Sequence, residues 1–412
     1  MTFEEFRVHA HIFSDWMADY FASVEKYPVR SQVRPGEISA QIPAACPEQG
    51  EPMERIFADF QNILLPGVTH WQHPRFFAYF PANSSPPSVL AEMLTATLAA
   101  QCMLWETSPA ATELEQRTTG WLRDLLGLPA EWTGCIQDSG SSSNLCAIIA
   151  GCEKATSGRA SQEGLASGPP PVVYASSEAH SSVEKGARIA GVGARNVRKI
   201  PVRSDYSMDP EALSAEIARD RAAGRMPACI VACFGATGLG SVDPLEPIGR
   251  IAQSEHIHLH VDAAWAGSAL ILPEVREKLK GLEYVDSFVF NPHKWLFTNF
   301  DCSAFFMRDP ACLARALSLT PTYLESVADD QTPEYRDWSV ALGRRFRALK
   351  LWFVLRSYGA EGLRTMVRNH IAWTRQLAGL IADSPDFELT TQPSLALLSF
   401  RYKPEWAATD TE

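Results

Sequence analysis

The sequence predicts an α/β fold: a mainly parallel central sheet with flanking helices. Three observations carry this. Helix-like stretches at 86–105, 109–127, 142–154, 181–191, 209–223 and 244–254 alternate with short apolar or β-branched runs at 172–174, 197–200, 228–234, 257–262, 286–290 and 302–307, the pattern of strand–helix–strand units. A chain of 412 residues, 46% hydrophobic and 21% charged, can bury a large core. Finally, the residues able to do chemistry fall directly after the strand-like runs, where ligands sit in such sheets.

Taken in order, residues 1–85 read as an N-terminal arm. Phe3, Phe6, Ile12, Phe13, Trp16, Met17 and Phe21 lie near helical spacing, and the Pro- and aromatic-rich stretch that follows includes 71–81. So many aromatics imply an arm packed on the body or on a partner subunit. Residues 86–360 carry the alternating pattern and form the large domain. Within it, Ala155 to Pro171, with Gly158, Gly164, Gly168 and three consecutive prolines, is a surface excursion. The weakly periodic, polar stretch 309–340 reads as a mobile loop. One helix is expected from Leu342 through Lys350 and Tyr358, and a second from Gly362 to Asp383. The second opens a small C-terminal domain, 361–412, which also holds a strand-like piece from Leu395 to Tyr402. No internal repeat is evident.

The bulk numbers exclude several classes. A net charge of −11, without a basic block to offset it, disfavours nucleic acid as a partner. Nine scattered cysteines lack disulfide or metal-ligand spacing and read as reduced thiols. The N-terminus shows no basic-then-apolar secretion pattern. The longest mostly apolar stretch, Leu90 to Trp105, is too short and too interrupted to span a bilayer. A cytoplasmic enzyme without membrane contact is the expectation.

Four clusters could carry chemistry. Ile257 to Gly267 is an apolar-rich strand ending in Asp262, followed by Ala263 and Ala264; a carboxylate there can lie beside a flat ring, or it can simply cap a helix. Ser287 to Trp295 ends a strand and then places Lys294 between His293 and Trp295. That could be a surface lysine, but a partly desolvated amine loses basicity and becomes a nucleophile for aldehydes. Gln137 to Leu145 (QDSGSSSNL) opens a helix with small residues and hydroxyls, a cradle suited to any phosphate or carboxylate. Ser176 to Lys185 places His180 at a strand-to-helix junction. Each signal alone is ambiguous. Together, a phosphate cradle, a ring-stacking His, a ring-nitrogen Asp and an aldehyde-binding Lys are the parts of a pyridoxal 5'-phosphate site.

The chain resembles the group II pyridoxal-dependent decarboxylases, and among them the aromatic-L-amino-acid decarboxylases, from about Phe6 to Tyr402. The resemblance rests on Phe76–Pro81 (FFAYFP), Ala179–Glu184 (AHSSVE), His260–Ala264 (HVDAA) with Ala266–Ala269, Phe290–Trp295 (FNPHKW), Pro321–Leu324 and Leu342–Arg347 (LGRRFR). It implies a type I pyridoxal-phosphate-dependent transferase fold and decarboxylation of an aromatic L-amino acid to its amine and CO2. It further implies that Lys294 forms the Schiff base, Asp262 pairs with the pyridine nitrogen, His180 stacks on the ring and Ala264 packs on the opposite face. Gly140, Ser141, Asn291 and His293 would hold the phosphate, with Thr237 close to the cofactor. Tyr323 would protonate the substrate α-carbon and Arg336 would support its loop. Tyr79, Phe80, Ala82, Gln101, Met103, His180 and Gly343 would line the substrate pocket, partly across a homodimer. Gly343 would favour an indole over a phenol, unless glycine is required there by the backbone.

The phosphate loop departs from the usual Gly-Ser-Ala-Ser-Glu-Ala, Ala82 replaces a hydroxyl residue, and the small C-terminal domain is expected to be incomplete. Three alternatives stay open. One is an aromatic aldehyde synthase on the same scaffold, against which Tyr323 argues because aldehyde-forming relatives commonly carry Phe. Another is an inactive, shortened cofactor-binding fragment. The third is a zinc hydrolase using His256, His258, His260 and Asp262, although the favoured reading has no metal.

Overall fold

The computed structural model describes residues 1–80, 82–319, 332–404 and 406. They fall into two compact units, Met1–Asn83 and Ser84–Glu412. In the first, the helix Phe3–Ser23 begins with a capping box in which Thr2 and Glu5 satisfy each other's backbone N–H groups. Its apolar face packs Phe13 and Trp16 against Phe57 and Phe60 of the segment 53–64. The Tyr20 hydroxyl hydrogen-bonds His70 Nδ1 at 2.8 Å.

The second unit is built on a seven-stranded sheet. In chain order the strands are β1 (Thr133–Gln137), β2 (Pro171–Ser176), β3 (Val197–Ile200), β4 (Met226–Cys233), β5 (His258–Asp262), β6 (Ser287–Phe290) and β7 (Ser303–Met307). Their spatial order is β1-β7-β6-β5-β4-β2-β3. Strands β6, β5, β4, β2 and β3 run parallel, while β7 is antiparallel to both of its neighbours. Every residue of β2, β5, β6 and β7 is buried. Sheets covered on both faces read this way: β2, β6 and β7 are near-continuous apolar runs, while in β5 the buried His258, His260 and Asp262 alternate with Leu259 and Val261.

The helix Gly140–Ala155 crosses this sheet at its centre. Cys146, Ala147 and Ala150 pack on Val289, Phe305 and Met307, while Ile148 and Cys152 pack towards Val173, Ala175 and Val231. The approach is close enough that a Cβ at Gly151 would lie 2.8 Å from the Ala228 carbonyl oxygen. This contact fixes the start of the helix at the carboxyl ends of the parallel strands.

Four expectations are corrected. β1 was not anticipated: its run Thr-Gly-Cys-Ile-Gln carries one aliphatic β-branched residue, and its burial comes from tertiary pairing with β7. The stretch 309–340 is not a single loop, because Asp309 caps a helix at Pro310–Leu317 and Tyr335–Trp338 forms a 3-10 turn. The long helix starts at Arg347 rather than Leu342. Its preceding residues are taken by other bonds, with Arg344 N–H donating to Gln101 Oε1 and the Arg344 carbonyl accepting from Cys102 N–H. The helix runs to Ala382 with a break at Gly359, where φ is 64°. A two-stranded antiparallel piece, β8 (Phe387–Leu389) with β9 (Phe400–Tyr402), follows, shorter than the expected strand from Leu395.

Candidate active site

At the carboxyl ends of β4, β5 and β6 lies a pocket of about 320 Å³, within the usual range for small-molecule sites. All nine residues expected around the cofactor line it: Gly140, Ser141, His180, Thr237, Asp262, Ala264, Asn291, His293 and Lys294.

One wall is the start of the helix Gly140–Ala155. Ser139 caps it, accepting from Ser142 N–H at 3.2 Å. First-turn amides lack intrahelical partners and, with the helix dipole, favour an anion. Gly140 leaves room here, since a Cβ at that position would come within 2.9 Å of Asn291 Nδ2. Asn291 Oδ1 accepts from Ser303 Oγ at 2.7 Å, which leaves its amide NH2 on the Gly140 side. His293 is buried, and its Nδ1 accepts from Cys302 N–H at 2.9 Å. Burial lowers its pKa to about 4, so the ring is neutral with its proton on Nε2.

Lys294 follows β6 in a single helical turn, Pro292–Trp295, begun by a proline at its first position. Burial pushes its ammonium below the ordinary lysine value, and Asp262 partly opposes that shift. Asp262 closes β5. Its Oδ1 accepts from Ala264 N–H at 3.0 Å and its Oδ2 from Asn144 Nδ2 at 2.9 Å, so each oxygen has one fixed donor and the carboxylate cannot rotate. His180 Nδ1 accepts from Ser182 N–H at 3.2 Å and meets Ser182 Oγ at 2.8 Å. Its pKa is lowered by partial burial, with Asp262 raising it and Lys294 lowering it.

The substrate-side residues are not brought to this pocket in the same way. Gln101 and Gly343 line a separate cleft of about 350 Å³. Gly343 lies outside the left-handed region, and a Cβ there would stand 3.3 Å from Gln101 Nε2. The backbone therefore does not require glycine at this position. The Met103 carbonyl accepts from Arg336 N–H at 3.1 Å, and Arg336 is buried. Tyr79, Phe80 and Ala82 belong to the N-terminal unit. Tyr323 lies outside the described residues.

The strand histidines have other partners. His258 Nε2 and His260 Nδ1 both lie 2.9 Å from Ser287 Oγ, and His260 Nε2 lies 2.9 Å from Asn144 Oδ1. Among the described residues no three His, Cys, Asp or Glu side chains are grouped to hold a metal ion.

Sequence reasoning missed Asn144 and Ser182. Both are buried, and what marks them is tertiary hydrogen bonding, Asn144 to Asp262 and to Ser182, which leaves no local signal in the sequence.

The model of the pyridoxal-dependent decarboxylase conserved domain matches residues 35–403. Phenylacetaldehyde synthase from Petunia hybrida is 42% identical over 97% of this chain and 80% of its own length. Aromatic-L-amino-acid decarboxylase from Rattus norvegicus is 41% identical over 98% of this chain and 86% of its own. The crystal structure of Oryza sativa TDC with PLP and tryptamine superimposes with a TM-score of 0.94 at 34% identity, covering 98% of this chain and 84% of that one. The chain belongs to the pyridoxal-dependent decarboxylase family, with the type I fold of its pyridoxal-phosphate enzymes. It is a carboxy-lyase, its cofactor is pyridoxal 5'-phosphate, and it falls among the aromatic-amino-acid decarboxylases and aldehyde synthases. The pocket fits that cofactor: an anion cradle with no room for a side chain at Gly140, a half-buried lysine of lowered basicity and a fixed carboxylate face one space.

Proposed function

We propose that this chain converts an aromatic L-amino acid to the corresponding amine and CO2. The observation that carries the reading is the meeting of Lys294, Asp262 and His180 in one pocket walled by the start of the helix Gly140–Ala155. The cofactor, when bound, supplies a ring that takes up the electron pair left at the α-carbon as CO2 departs.

The chain's own residues do the rest. Lys294 Nζ would hold the cofactor through its aldehyde, and burial raises the share of neutral, nucleophilic amine. Asp262 would keep a proton on the ring nitrogen; a fixed carboxylate in a half-dry site is worth far more there than in water. Gly140, Ser141, Asn291 and His293 would hold the phosphate. Ala264 and Thr237 would flank the ring and His180 would stack on it. Tyr323 would deliver a proton to the α-carbon. Gln101, Met103, Gly343, Tyr79, Phe80 and Ala82 would shape the substrate side, partly across a homodimer. The row of exposed Leu90, Met93, Leu94 and Leu98 on one helix supports an apolar subunit contact. A neutral aromatic substrate, with indole favoured over phenol, and a cytoplasmic location complete the reading.

The 42% identity to a phenylacetaldehyde synthase favours a second reading, oxidative decarboxylation. It consumes O2 and water with the amino acid and yields aldehyde, CO2, ammonia and H2O2. A product screen over tryptophan, tyrosine, DOPA and phenylalanine separates the two. Amine and CO2 in equal amounts without peroxide support the first, and stoichiometric peroxide and aldehyde support the second. In Tyr323→Phe the amine product gives way to aldehyde and peroxide if Tyr323 supplies the proton.

A further inference from the structure

We infer that Asn144 is the positioning residue that sets both Asp262 and His180, held in one orientation by a line of hydrogen bonds through the sheet. The inference rests on the cofactor roles proposed above for those two residues.

The amide of Asn144 is completely buried. Its Nδ2 lies 2.9 Å from Asp262 Oδ2 and 2.9 Å from Ser182 Oγ, and its Oδ1 lies 2.9 Å from His260 Nε2. An ionised carboxylate only accepts, so the NH2 must face Asp262. The second partner gives the same answer independently. A backbone N–H only donates, so the Ser182 N–H bond to His180 Nδ1 makes that nitrogen an acceptor. Ser182 Oγ then gives its proton to the same Nδ1 and accepts from Asn144. His180 is left in the Nε2–H form.

The far side follows from the same bookkeeping of donors. Asn144 Oδ1 needs a donor, so His260 carries its proton on Nε2. His260 Nδ1 then accepts from Ser287 Oγ, whose own lone pair accepts from His258 Nε2–H. All donors along His258, Ser287, His260 and Asn144 point towards Asp262. Aligned hydrogen bonds polarise one another in a dry interior. Burial also keeps both rings neutral, with His258 near pKa 4 and His260 well below its ordinary value. Among the described residues, the ionisable groups electrostatically engaged with Asp262 include His260 on its own strand, His180 after β2, Cys233 of β4 and Lys294 after β6.

A residue that merely fills space would be replaced without loss by its isostere, whereas a polarised donor would not. Asn144→Asp keeps the shape and puts a second carboxyl against Asp262. Two such carboxyls share one proton, and losing it as pH rises turns attraction into repulsion. The ratio of variant to wild-type cofactor dissociation constants, measured by equilibrium dialysis, should stay within about threefold at pH 6 and rise at least tenfold by about pH 8. Asn144→Leu should give a ratio of about ten with little pH dependence. A ratio near one throughout for Asn144→Asp would overturn the inference. The wild-type chain gives a second test that needs no variant. Long-range ¹H–¹⁵N spectra of the histidine-labelled, cofactor-free chain near neutral pH should show His180 and His260 as Nε2–H tautomers. An Nδ1–H or cationic His260 would overturn the inference even if Lys294 proves to bind the cofactor. Failure of Lys294 to bind cofactor, with these tautomers intact, would instead overturn the functional reading.

Discussion

Gly343 and Gln101 share a cleft, and the missing side chain at 343 leaves room for the Gln101 amide. Serine there would press on that amide from 3.3 Å or closer. On the proposal that Gly343 shapes the substrate side, one side chain's worth of space discriminates ring sizes by about 1–3 kcal/mol. Gly343→Ser is therefore expected to lower the indole-to-phenol ratio of kcat/KM by about tenfold or more; an unchanged ratio removes Gly343 from the specificity reading. The buried histidines make a second residue-level prediction. His258 and His293 ionise near pH 4 when folded, against an ordinary value of 6.5. The unfolded chain therefore binds more protons between those values, and stability rises with pH across that window. Relative to pH 7, the two groups should destabilise the fold progressively as pH falls from about 6.5 towards 4, each by a few kcal/mol. Urea midpoints at a series of pH values check this. His258→Gln should flatten the slope, and a profile flat from neutral to acid would contradict it.

The segment 342–346 shows what an element does when it is not helical. Arg344 is buried and holds Glu115 through two contacts, at 2.7 and 3.2 Å, while also donating to the Ile136 carbonyl at 2.8 Å. Glu115 Oε1 accepts in turn from Ile136 N–H. This pair ties the helix Pro109–Leu126 to β1 just before the phosphate cradle. Arg344→Met leaves Glu115 buried without its charge partner, a loss of about 3–5 kcal/mol. A melting temperature within a degree of wild type would show that the pair contributes little. The sequence allowed helix here because Leu342 to Lys350 has helical composition; the tertiary bond to Glu115 decides otherwise. β1 was hidden for the complementary reason, since its strand state comes from pairing with β7 rather than from propensity. β2, β4 and β6 were legible because burial on both faces makes them near-continuous apolar runs, whereas β3 carries Arg198 and Lys199 and β5 interleaves His258 and His260 with its apolar residues. Lys294 and His180 were legible because each sits in the turn after a strand, and Asp262 because it closes one. Asn144 was not, because a hydrogen bond between a helix and a strand 118 positions away has no local signature.

For the whole molecule, the sheet brings together at one edge residues spread from Gly140 to Lys294, and the proposed chemistry depends on that convergence. The decarboxylase family sets the cofactor; the pocket assigns this chain's lysine to it by proposal. Borohydride reduction of the cofactor-loaded chain, followed by peptide mapping, tests this most directly. The expected result is a phosphopyridoxyl group on Lys294, formed in one equivalent per chain and lost in Lys294→Ala. Label on another lysine of the wild type, or an undiminished reducible adduct in Lys294→Ala, would contradict it.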